Sequence, residues 1–220
     1  MTDSQEVENR RPLKVRGVGV VNQFAKWLSQ KSITPNHISL LSIVFAILAG
    51  ISFVLVPYYN GLTQVSLYLL AALFIQGRLL CNLFDGLVAV EGGKSTPSGE
   101  LFNDIPDRIS DPIIIIAAGY SIVSVGFGDV LGWCGALFAV LTAYVRTLAV
   151  SIGAPANFIG PMAKQHRMAL LTFASLLTAF EQYVYHHDFI MVIALVLLNI
   201  GAFITTFRRA HIAYCYLEKK

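Results

Sequence analysis

Acids and amides recur at fixed intervals between Asn82 and Asp107. The order is Asn82-x-x-Asp85-Gly86-x-x-Ala89-Val90, then eight residues, then Gly99-x-x-x-Asn103-x-x-x-Asp107. On a helix, Asn82, Asp85 and Ala89 share one face, and Asn103 and Asp107 sit one turn apart. Oxygen side chains converging from two helices suit a hard divalent cation or a diphosphate, because a few carboxylates leave room for phosphate oxygens around the ion. Gly86 and Ala89 lack bulk on the Asp85 face, so a nucleotide or a neighbouring backbone can approach. Helix packing alone would use the same small residues.

The surroundings make these polar groups expensive. The 220 residues are 55% hydrophobic and only 13% charged, with a mean hydropathy of +0.64. Soluble domains carry roughly 25% charged residues. Such a chain reads as a polytopic membrane protein, in which ionisable groups at membrane depth are costly and usually functional. Apolar runs long enough to span are expected near 37–57, 66–90, 104–125, 129–153, 167–184 and 189–212. The fifth is the weakest, being short and carrying Glu181 near its end. Thr34-Pro35-Asn36 is a helix-start signal. Before it, residues 18–31 place Val21, Phe24, Trp27 and Leu28 at helical spacing, which suits an amphipathic helix in the interface. The expected division is a cytoplasmic N-terminal segment, 1–33, followed by one membrane domain, 34–220. The polar start of the chain does not read as a cleavable signal peptide.

Basic residues cluster at the N-terminal segment, at Lys94, at Lys164 and Arg167, and at the C-terminus. The connections at 58–65, 126–128 and 185–188 carry no Lys or Arg. By the positive-inside rule both termini and the Lys94 and Lys164 loops face the cytoplasm. This places Asn82 to Ala89 at the cytoplasmic end of the second span and Asn103 to Asp111 at the start of the third. The net charge of +3 follows from this pattern, and nucleic-acid binding is not needed to explain it. Three cysteines, Cys81, Cys134 and Cys215, lie at no metal-ligand spacing and suggest no disulfide framework.

The spacing resembles the signature of the CDP-alcohol phosphotransferase family, Asp-x2-Asp-Gly-x2-Ala-Arg-x8-Gly-x3-Asp-x3-Asp. Every interval is kept. Asp85, Gly86, Ala89, Gly99 and Asp107 match by type, whereas Asn82 and Asn103 replace aspartates and Val90 replaces arginine. The resemblance implies an all-α membrane fold of six transmembrane helices with an N-terminal interfacial helix. It implies transfer of a phosphatidyl or related group from a CDP-alcohol, such as CDP-diacylglycerol, to an acceptor alcohol, with release of CMP, in phospholipid synthesis. It further implies Mg²⁺ or Mn²⁺ held by Asn82, Asp85, Asn103 and Asp107, contact of Gly86, Ala89 and Gly99 with the CDP-alcohol, Asp107 as base, and a homodimer. The compact form suggests a bacterial inner membrane.

The Asn substitutions remove two negative charges from a cation site, so affinity for a second metal should fall most. Three consequences stay open: one metal suffices, Asp104, Glu91 or Glu100 substitutes, or catalysis is lost. Arg146, Lys164 and Arg167 could hold a phosphate or an anionic acceptor, since Arg contacts phosphate through two N–H groups; positive-inside anchoring would place them there as well. Arg108 is either a clamp to Asp104 or Asp111, or a phosphate ligand. Arg78, one turn before Asn82, requires a buried partner. Two other functions compete: a catalytically silent CDP-lipid-binding member, and a transporter using intramembrane acids. Polar residues clustered at cytoplasmic ends argue against a path through the membrane.

Overall fold

The computed structural model describes residues 34–91 and 98–219, the side chains of Val90, Glu91, Glu100 and Asn103 excepted. These residues form α1 (Pro35–Leu55), a 3-10 turn (Val56–Tyr58), α2 (Gly61–Glu91), α3 (Gly99–Tyr120), α4 (Gly128–Ser151), α5 (Lys164–Tyr185) and α6 (Phe189–Leu217). No strand occurs among them. The N-terminal segment 1–33, with its expected amphipathic helix, lies outside the described residues, as does the Lys94 loop.

Local chemistry sets the helix starts. Thr34 has extended backbone and its hydroxyl accepts from the His37 amide at 3.3 Å, while Pro35 occupies the first turn, where its missing N–H costs nothing. At the other face of the molecule two carboxylates receive backbone amides. Glu181, near the end of α5, accepts from Phe189 and Ile190 at 3.2 and 3.0 Å and so caps α6. Asp188 accepts from the Val123 amide at 2.8 Å and from the Ser124 hydroxyl. That contact fixes the α3–α4 connection. The third helix therefore ends at Tyr120 rather than near 125, and it begins at Gly99 rather than 104. Pro106 consequently lies in the second turn beyond the start, inside the helix.

α1, α2, α4 and α6 are each long and apolar enough to cross a membrane. α3 and α5, 22 residues each, carry more polar and charged side chains, in the first turns of both and at Glu181 and Gln182 near the end of α5. Each still reaches about 33 Å, the thickness of a bilayer core. The protein is an all-α polytopic membrane protein, and its broad outward display of Leu, Ile, Val and Phe suits lipid rather than water.

The helices form a closed ring. Going round it, α1 packs on α2, α2 on α5, α5 on α6, α6 on α4, α4 on α3 and α3 on α1. α2 and α3 touch little through their backbones and face each other across the ring. Small residues permit the close crossings. Gly119 of α3 lies against Gly128 and Gly132 of α4, where an added Cβ would stand 2.5 Å from the Gly128 carbonyl oxygen. Buried Ala46, Ala49, Phe53, Ile75, Ile114, Leu171 and Leu198 fill the middle of the ring. Gly119→Val should lower stability by about 1–3 kcal/mol through overpacking. Thermal unfolding of the purified protein in detergent checks this, with Gly126→Val, which meets open space, as the control.

Candidate active site

The polar cluster sits where α2 and α3 face each other. Taking α2 as a straight rod from Gly61, Arg78 lies about 26 Å along it and Asp85 about 36 Å along. Asp85 therefore lies near the headgroup boundary and Arg78 deeper. On α3, Asp107 and Asp111 lie about 12 and 18 Å in from Gly99. Helices entering from the same side thus bring Arg78 level with the two acids.

Arg78 is fully buried. One guanidinium nitrogen, Nη2, stands 2.9 Å from Asp107 Oδ1 and 2.6 Å from Asp111 Oδ1. The Asn82 amide donates to the same Asp107 oxygen at 3.1 Å. Lys164, first residue of α5, donates to the other Asp107 oxygen, Oδ2. Arg167, one turn on, donates to Asp111 Oδ2 at 2.7 Å and also to the Met162 carbonyl at 3.0 Å. Both acids of α3 are thus held by cations from α2 and α5. A charge in low dielectric persists only with such partners.

Asp85 is different. It is buried, and its Oδ2 accepts from the Ser39 hydroxyl of α1 at 2.7 Å. Among the described residues it forms no ion pair. It remains within electrostatic reach of Asp107 and Lys164. Its carboxylate therefore has hydrogen-bond donors but no cation among the described residues. Gly86 and Ala89 continue this face of α2, both half-buried, and Gly99 opens α3. The side chains of Asn103, Glu91 and Glu100 lie outside the described residues.

A second cluster borders the first. Asp104 binds Arg108 at 2.8 Å, one turn away on α3, and Arg146 of α4 at 3.1 Å. Arg108 therefore acts as the Asp104 clamp. Arg146 also lies over the Phe158 ring, 5.3 Å from its centre. A cavity of about 50 Å³ opens beside it, lined by Arg146, Ala149, Pro155, Asn157, Arg209 and Tyr216. Arg209 is held by the carbonyls of Ile159 and Thr142 at 3.0 and 2.9 Å. Arg167 points instead into Asp111, so it is less open to a ligand than Arg146. Ser39 and Arg209 had no sequence signal: one is a serine among apolar residues, the other belongs to a basic terminus. Arg78 stood out as a charge inside a span, but its partners depended on the ring.

Residues 32–206, well over half the chain, match the family model for CDP-alcohol phosphatidyltransferase. The chain belongs to the CDP-alcohol phosphatidyltransferase family. Members transfer a phosphatidyl group from a CDP-alcohol to an acceptor alcohol, and this chain is an enzyme of that class. It is 25% identical over 178 residues to the inner membrane protein YnbA of Escherichia coli, covering 78% of this chain and 82% of YnbA. Its fold is similar to phosphatidylinositol phosphate synthase (PgsA1) of Mycobacterium tuberculosis. The complex of that protein with manganese and citrate gives a TM-score of 0.73 at 16% identity, covering 88% of each chain. The structure with CDP-DAG bound gives 0.72 at 17% identity, covering 90% of this chain and 94% of that one.

For this CDP-alcohol phosphatidyltransferase, stability should track burial of charge. Asp111→Ala leaves Arg78 and Arg167 each short of a carboxylate in the ring and should cost about 3–5 kcal/mol. Arg108→Ala, at the partly exposed Asp104 pair, should cost about 1 kcal/mol or less. Thermal midpoints measured side by side in detergent test that ordering.

Proposed function

We propose that this enzyme transfers the phosphatidyl group of CDP-diacylglycerol, or a CDP-alcohol like it, to an anionic alcohol at the cytoplasmic face of a bacterial inner membrane. One observation carries the reading: the Asn82–Asp107 hydrogen bond joins α2 to α3 beside a buried carboxylate, Asp85, that has no ionic partner. Asp85 fits a hard cation by charge and burial. It would hold Mg²⁺ or Mn²⁺ with oxygens from Asn82 and Asn103. When bound, the ion polarises phosphoryl oxygens and stabilises charge on the departing nucleotide. Asp107 is the fourth residue of that set, but Arg78, Asn82 and Lys164 already compete for its oxygens.

In the proposed step the acceptor hydroxyl oxygen attacks the β-phosphorus of the CDP-alcohol. The bond from that phosphorus to the bridging oxygen breaks, and its electron pair leaves with CMP. The acceptor proton passes to Asp107 Oδ2. Lys164 is the donor on that oxygen and sits at the first residue of α5, so it is the contact that can swing aside. Gly86, Ala89 and Gly99 leave room for the nucleotide.

Arg146, which reaches to within one helix turn of Asp107 through Asp104, and Arg209, beside the same small cavity, suit a phosphate or carboxylate on the acceptor. Lys164 and Arg167 add positive potential, with Arg167 mainly bracing Asp111. Homodimer formation and both termini in the cytoplasm complete the proposal, on the family resemblance and the distribution of basic residues. Because Asp107 is gripped by three donors, a second reading retains a specific support: a member that binds CDP-lipid without turning it over.

Asp107→Asn should lower CMP release at least about 100-fold, the contribution of a general base. Arg78 and Lys164 lose the charge they pair with, so the thermal midpoint should fall as well, and retained CDP-diacylglycerol binding shows that the variant is folded. Undiminished turnover in that variant would end the base assignment. Wild type that binds CDP-diacylglycerol but yields no product from any pooled alcohol favours the silent reading. Arg146→Gln should raise KM about 10-fold or more for a phosphorylated acceptor, the loss of one charge-assisted hydrogen bond. A neutral acceptor should barely respond.

A further inference from the structure

Arg78 is the most unusual group in the molecule. It is a fully buried guanidinium whose Nη2 bridges Asp107 and Asp111, while its Nε and Nη1 make no hydrogen bond to any described residue. Unpaired N–H groups of a buried cation are costly, more so than neutral ones. They are also directional donors, and a planar guanidinium matches phosphate oxygens. A divalent ion in a phosphoryl-transfer site does the same two things. It ties motif carboxylates together and presents positive charge to phosphate oxygens.

The charges agree with that equivalence. The resembled signature carries aspartate where this chain has Asn82 and Asn103, and arginine where it has Val90. Asp107 and Asp111 have four oxygens between them, and each is met by a cationic nitrogen of Arg78, Lys164 or Arg167. Asp85 is left as the carboxylate of this cluster without a cation among the described residues. A first divalent ion has a place there. A second ion bound through Asp107 would have to displace Arg78, Asn82 and Lys164 together.

Resting on the transferase reading above, we propose that Arg78 takes the place of one divalent ion: this chain binds a single Mg²⁺ or Mn²⁺ at Asp85, and the unpaired N–H groups of Arg78, enclosed until the donor enters, grip the diphosphate of the CDP-alcohol. The neighbouring Lys164 supplies the remaining charge. The substitution of Asn for two aspartates is then matched to Arg78, because a second ion beside a retained arginine would set like charges together in low dielectric.

The experiment counts metal and measures donor binding without turnover. Full-length protein in nanodiscs is titrated with Mn²⁺ in the presence of CDP-diacylglycerol, with free Mn²⁺ read by electron paramagnetic resonance. Wild type should bind one Mn²⁺ per chain. Arg78→Lys keeps the charge and discards the extra N–H groups. It should bind CDP-diacylglycerol at least about 10-fold more weakly, with the Mn²⁺ count still one. The triple variant Arg78→Gln, Asn82→Asp, Asn103→Asp should bind two. Two Mn²⁺ on wild type, or unchanged lipid affinity in a folded Arg78→Lys protein, overturns the assignment of Arg78 while leaving the transferase reading intact. Wild type that binds neither the lipid nor Mn²⁺ overturns both.

Discussion

Charge neutrality inside the helix ring is the constraint on which the rest of the site depends. Three buried acids lie where α1, α2, α3 and α5 meet, and none can stay ionised in low dielectric without a partner. Asp107 and Asp111 take theirs from Arg78, Lys164 and Arg167. Those links run between elements that barely touch through their backbones, so the ion network braces the ring across its middle as well as arming it. Breaking one member leaves the others uncompensated, which is why such networks fix geometry even when their net stabilisation is small.

The two faces of the molecule handle acids by different means. At the end that holds the α3–α4 and α5–α6 connections, Asp188 and Glu181 are satisfied by backbone amides and a hydroxyl at helix junctions. Those contacts use up the carboxylates as caps, so they serve the connections between helices. At the opposite end the partners are long side chains that can move, and Asp85 has no ion pair among the described residues. Chemistry therefore concentrates at one end of the bundle. Asp188 and Glu181 are built into the turns, which removes the second polar station that a path across the membrane would need.

Membership of the family fixes the reaction class, while the local charges set how this chain performs it. Neutral side chains at Asn82 and Asn103 offer a cation less negative charge than aspartates would. A buried arginine one turn from Asn82 changes the balance in the same direction. The two features are best understood together: an amide that donates to Asp107 and a guanidinium that binds the same oxygen both favour a carboxylate with protein-borne partners.

The amino-acid order by itself determined the membrane class, the run of spans and the two faces carrying Asp85 and Asp107, because hydropathy and one-turn spacing are local properties. It also marked the Thr34-Pro35 helix start and the charge inside the second span. It misplaced the third helix by about five residues at each end, since the end is set by Asp188, which lies 64 or more residues away in sequence from the amides it caps. Only the tertiary structure decided that Arg78 belongs to Asp107 and Asp111, that Arg167 turns to Asp111 and Arg146 to Asp104, and that Ser39 reaches Asp85. Spacing along a chain orders groups on one helix, whereas ion pairing depends on which helices stand opposite each other, and that is settled by small-residue contacts such as Gly119 against Gly128 and by the closure of the ring.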